Sequence, residues 1–271
     1  MLFIPQIATQ IYTVLDKTMI GVIVSNKAEV GYYEQAQKMI KLLMTIATSL
    51  GTVMMPRIAA TFASGDHKKV REYMNKSFSF ILLLAFPLMF GIISVSSSFV
   101  PLFYGKGYDK VVSLLCVISP IIILIGLSNV TGTQYLLPTK KQNQYTLSVV
   151  VGAIVNFILN LILIKHFASI GASIATVIAE LVVTATQFIL IRKEIKFIDV
   201  AKLSYKYVIA SLIMFICSMI VGHFIKDNFL SIILQVMVSC FVYFIFLYIL
   251  NDKLIIEAVN KVGNKLRKEV K

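Results

Sequence analysis

Apolar residues fall in long blocks parted by short polar joints. The blocks lie near residues 2–25, 35–63, 77–103, 111–138, 145–165, 167–191, 207–225 and 229–250. Each reaches the roughly 17–25 residues that a helix needs to cross a hydrocarbon layer. No stretch shows the roughly ten-residue alternation of a spanning β-barrel strand. The pattern therefore predicts an all-α polytopic membrane protein with about eight transmembrane helices. Its weakest joints are the second block, which contains Lys38, Lys41 and Arg57, and the short KHFA link between the fifth block and the sixth.

Composition agrees with that prediction. The chain is 58% apolar and 14% charged, with no Trp and a mean hydropathy of +0.85. Soluble domains carry about 45–50% apolar and about 25% charged residues, which excludes an ordinary soluble fold. A net charge of +13 raises the question of nucleic acid, but the basic residues sit in the joints and the tail and form no basic face on a folded domain, so membrane lipid is the expected partner and nucleic acid is not. Lys68, Lys69, Arg71, Lys76, Lys140, Lys141, the cluster from Arg192 to Lys206 and the tail from Lys253 to Lys271 fall on one side. The sparser Lys27, Lys106, Lys110, Lys165 and Lys226 fall on the other. The excess marks the cytoplasmic side and places both termini there. The tail from Asn251 to Lys271, with Leu254, Ile255, Ala258 and Val262 on one face, reads as a surface helix on anionic lipid or as a solvated tail. The first block has no basic n-region and carries Pro5, Asp16 and Lys17 within its apolar run, so it is expected to stay in the mature protein. Cys116, Cys217 and Cys240 lie inside spans, and His67, His166 and His223 lie near span ends without ligand spacing, so neither a disulfide nor a metal site is expected.

Polar groups inside the spans carry the functional information, because lipid cannot solvate them. Gln6, Thr9, Gln10, Thr13, Asp16 and Lys17 form a stripe on the first helix, and Glu34, Lys38, Lys41, Thr45, Thr48 and Thr52 one on the second. The fifth helix repeats every four residues through Ser148, Gly152, Asn156 and Asn160, and the sixth carries Thr176, Glu180, Thr184 and Gln187. Ser148, Gly152 and the threonines read as helix-packing groups, as do Gly171, Ala175 and Ala179. For Asp16, Lys17, Lys38, Lys41 and Glu180 a hydrated cavity is the better account, although Lys38 and Lys41 could also snorkel to the outer interface. Neighbours on a helix diverge by about 100°, so Asp16 and Lys17 face different ways and at least one needs a partner elsewhere. The last two spans hold no Lys, Arg, Asp or Glu and are expected at the periphery. Pro120, Gly126, Gly132 and Pro138 predict a bent fourth helix. No Walker loop, G-x-S-x-G, H-E-x-x-H or dinucleotide turn is present, which argues against an enzyme and against a bound cofactor and leaves a gradient or the lipid substrate to supply energy.

The run LDKTMIGVIVSNKAEVGYYEQAQKM, the segment TSLGTVMMPRIAATFASGD, and GTQYLLPTKKQNQYTLSVVVGAIVNFILNLILI followed by SIGASIATVIAE resemble, in order and spacing, polysaccharide flippases of the multidrug/oligosaccharidyl-lipid/polysaccharide exporter superfamily. The resemblance implies the second six-helix bundle of a MATE-like fold in residues 1–191, and an added pair of helices with a basic tail in residues 192–271. The other bundle of such a transporter, not contained in this sequence, would have to come from further polypeptide. It also implies movement of undecaprenyl-diphosphate-linked O-antigen or capsule repeat units across the bacterial cytoplasmic membrane, beside polymerase machinery. Cavity candidates are then Asp16, Lys17, Lys38, Lys41, Arg57, Asn156, Asn160 and Glu180. Lys17 and Arg57 would face diphosphate or acidic sugar, and Asp16 and Glu180 would pair with them or carry a coupling proton or sodium ion. The same fold with lipid II or small organic cations as cargo, or a non-transporting scaffold, are the alternatives.

Overall fold

The computed structural model describes residues 14–225, 227–257 and 259–261, and these form helices joined by short turns, without strands. In chain order the helices are α1 (residues 14–23), α2 (Ala28–Thr48), α3 (Gly51–Ala63), α4 (His67–Tyr104), α5 (Asp109–Ile118), α6 (Ile121–Ser128), a π-helical segment (Asn129–Leu136), α7 (Gln142–Leu190), α8 (Phe197–Phe224) and α9 (Asn228–Ile249). Five helical stretches are long and apolar enough to span a membrane, and a sixth is obtained if α2 and α3, bent by 42°, count as one. The stretch Asp109–Leu136, which joins α5, α6 and the π segment, is one of the five.

α7 is longer than any single passage needs, and it divides at Ala168, whose φ of 49° and ψ of −129° are not helical. Its two limbs return antiparallel. Gln187 Nε2 donates to Ser148 Oγ at 3.1 Å, Gly152 faces Ala179 and Val183, and Gly171 lies against the backbone of Leu163 and Ile164. The sequence-derived break at KHFA is thus a tight hairpin turn. Of the first predicted span only residues 14–25 are described, so Gln6, Thr9, Gln10 and Thr13 lie outside the described residues, as do Lys226, Ala258 and Val262.

A non-Gly residue at the dihedral angles of Ala168 is strained, and the cost is on the order of 1–3 kcal/mol. Ala168→Gly is expected to recover about 1 kcal/mol net, after the greater chain entropy of glycine in the unfolded state. Thermal unfolding in detergent should show a midpoint raised by a few degrees.

Two helices begin well before their apolar blocks. α4 starts at His67, where the Asp66 carboxylate accepts from Lys69 N at 2.9 Å, and α8 starts at Phe197. Apolar length marks the lipid-embedded portion; the Asp66 cap sets where α4 itself starts, whereas α8 begins after Lys196 without a side-chain cap. The predicted bend of the fourth span has two parts. α5 ends before Pro120, and the chain changes to π hydrogen bonding from Asn129, with Leu137 N donating to Gly132 O at 3.0 Å. Such π segments are rare and accompany functional sites.

α8 and α9 pack on each other and on α4. Ser218 Oγ donates to Ser94 Oγ at 2.9 Å, Ser98 Oγ to Ser231 Oγ at 3.3 Å, and Tyr243 OH to Leu83 O at 2.7 Å. Small polar groups therefore hold this contact together. The outer faces leave Ile216, Ile220, Phe241 and Phe244 exposed, as a lipid-facing edge requires.

Candidate functional site

The deepest polar cluster is built on Asp16, which is fully buried on α1. Its Oδ1 accepts from Asn160 Nδ2 at 2.5 Å, and its Oδ2 accepts from Tyr33 OH at 2.7 Å and Thr176 Oγ1 at 3.0 Å. Asn160 Nδ2 also reaches Asn156 Oδ1 at 3.0 Å, and Gln37 Nε2 donates to Tyr33 OH at 2.8 Å. These groups come from α1, α2 and both limbs of α7. The hairpin brings Asn160 and Thr176 to one carboxylate, and four-residue spacing stacks Asn156 on Asn160 and Tyr33 on Gln37. Among the described residues no ion pair reaches Asp16. A buried carboxylate without a counter-charge is costly even when hydrogen-bonded, so this ring of oxygens suits a proton or a small hard cation. Among the described residues the buried Asn160 Oδ1 has no hydrogen-bond partner, and an amide flip would turn it toward the Asp16 carboxylate in place of Nδ2.

Next to the cluster lies a cavity of about 300 Å³. Gln37 and Thr176 belong to both. The rest of its lining includes Lys41 and Met44 from α2, Ile121 and Ile125 from α6, Asn129 and Thr133 from the π segment, and Tyr145, Val149, Glu180 and Val183 from α7. Glu180 is buried there. The π segment is braced from behind: Thr131 Oγ1 donates to Gln187 Oε1, and Gln134 Nε2 to Asn129 Oδ1 at 2.9 Å.

Five of the sequence candidates meet here. Asp16, Asn156 and Asn160 form the buried cluster, and Lys41 and Glu180 line the cavity. Lys17 and Lys38 do not join them. They pair with Glu34, at 3.4 and 3.3 Å, on a partly exposed face of α1 and α2, since the turn from Asp16 to Lys17 carries the ammonium away from the cluster. Arg57 is exposed on α3, beyond the bend, and is not brought to the others. Ser148, read from sequence as a packing group, does bond Gln187 across the hairpin.

Sequence reasoning passed over Tyr33, Gln37 and Glu29. Glu29, Tyr33 and Gln37 recur every four residues and form a buried inward face of α2, with Lys41 exposed one turn further on, whereas Glu34 and Lys38 lie on a partly exposed face. A tyrosine followed by glutamine four residues on was the available signal. Glu29 closes the opposite end of the bundle, where its carboxylate accepts from Lys110 Nζ at 2.5 Å and from Ser169 N at 3.2 Å, and so caps the second limb of α7.

Residues 1–113 match the family of polysaccharide biosynthesis proteins. The chain is 29% identical over 194 residues to the lipid II flippase MurJ of Bacillus subtilis (strain 168), covering 70% of this chain and 34% of that protein. It is 27% identical over 190 residues to a putative O-antigen transporter of Escherichia coli (strain K12), covering 70% of this chain and 45% of that protein. The fold superposes on the inward closed conformation of the lipid II flippase MurJ with a TM-score of 0.80 at 23% identity, covering 93% of this chain and 53% of that one. It superposes on an outward-facing MATE family transporter with a TM-score of 0.62 at 16% identity, covering 91% and 62%. This chain therefore spans between a third and a half of the curated relatives it matches. In sequence and in helical fold the chain is thus similar to polysaccharide and lipid-linked-substrate flippases of the multidrug/oligosaccharidyl-lipid/polysaccharide exporter superfamily.

Proposed function

We infer that this chain forms one lobe of a flippase that carries undecaprenyl-diphosphate-linked oligosaccharide repeat units across the bacterial cytoplasmic membrane for polysaccharide biosynthesis, with both termini in the cytoplasm. One observation carries the reading: Asp16, a fully buried carboxylate that no ion pair reaches among the described residues, adjoins a largely apolar cavity whose lining includes Lys41 and Glu180. The first is a place for a coupling proton or sodium ion, and the second a place for part of a polar head group. Coupling needs an ion site and a substrate site biasing one two-state element, and shared residues supply the physical link. The Lys17–Glu34–Lys38 ion cluster and Arg57 lie on exposed surface, where a second lobe and a diphosphate could meet them. That lobe, and a polysaccharide polymerase that consumes the flipped product, are the partners this reading requires.

The test is translocation of lipid-linked oligosaccharide in vesicles by the intact transporter. Lys41→Gln and Glu180→Gln should each lower the rate by about tenfold at normal protein level, equivalent to about 1.4 kcal/mol. Unchanged rates in both would remove the cavity from the pathway. The 29% identity to MurJ supports a second reading, in which lipid II is the cargo. Offering both lipids to the same vesicles separates the two, since the repeat-unit reading requires the oligosaccharide lipid to move faster.

A further inference from the structure

α6 has a different hollow on each side. Ile121 and Ile125 line the cavity beside the Asp16 cluster, whereas Ile123 and Leu127, about 200° round the helix from them, line a separate groove of about 390 Å³ on its back. α4 supplies Leu82 and Phe86 to this groove, and α8 supplies a face running from Phe197 through Val200 and Ser204 to Ile209. α8 packs on α4 but not closely on α6, and Phe197, Tyr205 and Ile209 stay exposed, so the groove is open along its length. From Phe197 to Ile209 the lining extends about 18 Å along α8. One leaflet offers about 15 Å of hydrocarbon, so the groove is one leaflet long.

One end of the groove is cationic. Lys196 immediately precedes Phe197, and Lys202 lies on the face of Tyr205 and Ile209, one and two turns nearer the start of α8. Arg192 and Lys193 stand in the turn before the helix, and all four cations are exposed. Among the described residues no ion pair holds any of them, since the acids beside them in sequence are taken, Glu194 by Lys141 and Asp199 by Arg71 at 3.5 Å. The aromatic rings of Phe197 and Tyr205 lie at the same end, as rings at a membrane interface do. An apolar slot with unpaired cations at its head matches an anionic phospholipid, since basic pockets between membrane helices hold such head groups. The lipid-linked cargo fits worse, because α6 walls its head group off from the cavity.

We propose that this groove binds one acyl chain of an anionic phospholipid of the surrounding membrane, with its phosphate held by Lys196 and Lys202. The chain fills the space between α6 and α8 and bears on the back of the helix that runs on into the π segment. A ligand held only by the folded protein stabilises it by mass action, so occupancy braces the bundle from outside the transport path.

The experiment titrates the full chain in detergent micelles with phosphatidylglycerol, or with phosphatidylcholine of the same acyl chains. Retained lipid is counted by native mass spectrometry, and thermal unfolding is followed in parallel. One phosphatidylglycerol should be retained at saturation, about tenfold more tightly than phosphatidylcholine, and the unfolding midpoint should rise with its concentration. Lys196→Gln combined with Lys202→Gln should remove the preference. Val208→Phe, which fills the groove and leaves the charges in place, should remove the retained lipid. Lys253→Gln combined with Lys261→Gln takes the same charge from exposed positions beyond α9 and should change nothing. Equal retention of the two lipids, binding unchanged in both groove variants, or an equal loss in the Lys253 and Lys261 control overturns the proposal. Displacement of phosphatidylglycerol by equimolar undecaprenyl phosphate also overturns it, in favour of the cargo lipid. The vesicle assay decides the flippase reading separately.

Discussion

Asp16→Asn should abolish ion-driven transport while leaving the fold in place. The amide is isosteric with the carboxylate and can still accept from Tyr33 and Thr176, but it carries no charge to bind a proton or cation. Removing an uncompensated buried charge also lifts a desolvation penalty, so thermal stability without cation should hold or rise. The driven rate should fall by about two orders of magnitude, equal to about 2.7 kcal/mol of lost stabilisation. Cation-dependent stabilisation should vanish with it. An Asn variant that keeps full driven transport would show that the oxygen ring is structural.

The second large effect is expected at a glycine of the α7 hairpin. A methyl group added at Gly171 would lie 2.3 Å from Leu163 O and 2.5 Å from its carbonyl carbon, and both are backbone atoms that cannot rotate away. Gly171→Ala must therefore part the two limbs of α7. Overpacking of this kind costs about 1–3 kcal/mol. The upper part of that range is expected here, because the hairpin turn is also held by the Glu29 cap on Ser169. Asn160 and Thr176 lie on opposite limbs, so the same displacement pulls them apart around Asp16. Folded yield in detergent and cation-dependent stabilisation should fall together, and the latter should fall further than the lost stability accounts for. Gly152→Ala is the milder control. Its new methyl would meet a Val183 methyl at 2.2 Å and Ala179 O at 3.3 Å, and the side chain can move aside.

The span pattern was legible from apolar length because the bilayer imposes one dimension on every helix that crosses it. Helix starts were not, since Asp66 caps α4 in a joint that hydropathy does not register. Asp16 was legible because a carboxylate in an apolar run demands a reason, and Asn156 and Asn160 followed from their shared face. Its partners Tyr33 and Gln37 were not, because neither carries a charge and both fall outside the stripe that begins at Glu34. Only the register of α2 shows that they face inward while Glu34 and Lys38 face out. Lys17 does not join the Asp16 cluster for a related reason. A charge inside a span invites assignment to a cavity, but a glutamate on the neighbouring helix was enough to hold it at the surface. The π segment has a sequence correlate in Gly132 and Pro138, which predicts a bend without predicting its hydrogen-bond register.

The most direct measurement is the initial rate at which the intact transporter moves undecaprenyl-diphosphate-linked oligosaccharide across vesicle membranes under an imposed sodium or proton gradient, with and without Asp16→Asn. One of the two gradients should accelerate the unaltered protein, an ionophore collapsing it should return the rate to basal, and the variant should stay at basal throughout. A rate indifferent to both gradients, or an equal response in the variant, would contradict ion coupling through Asp16.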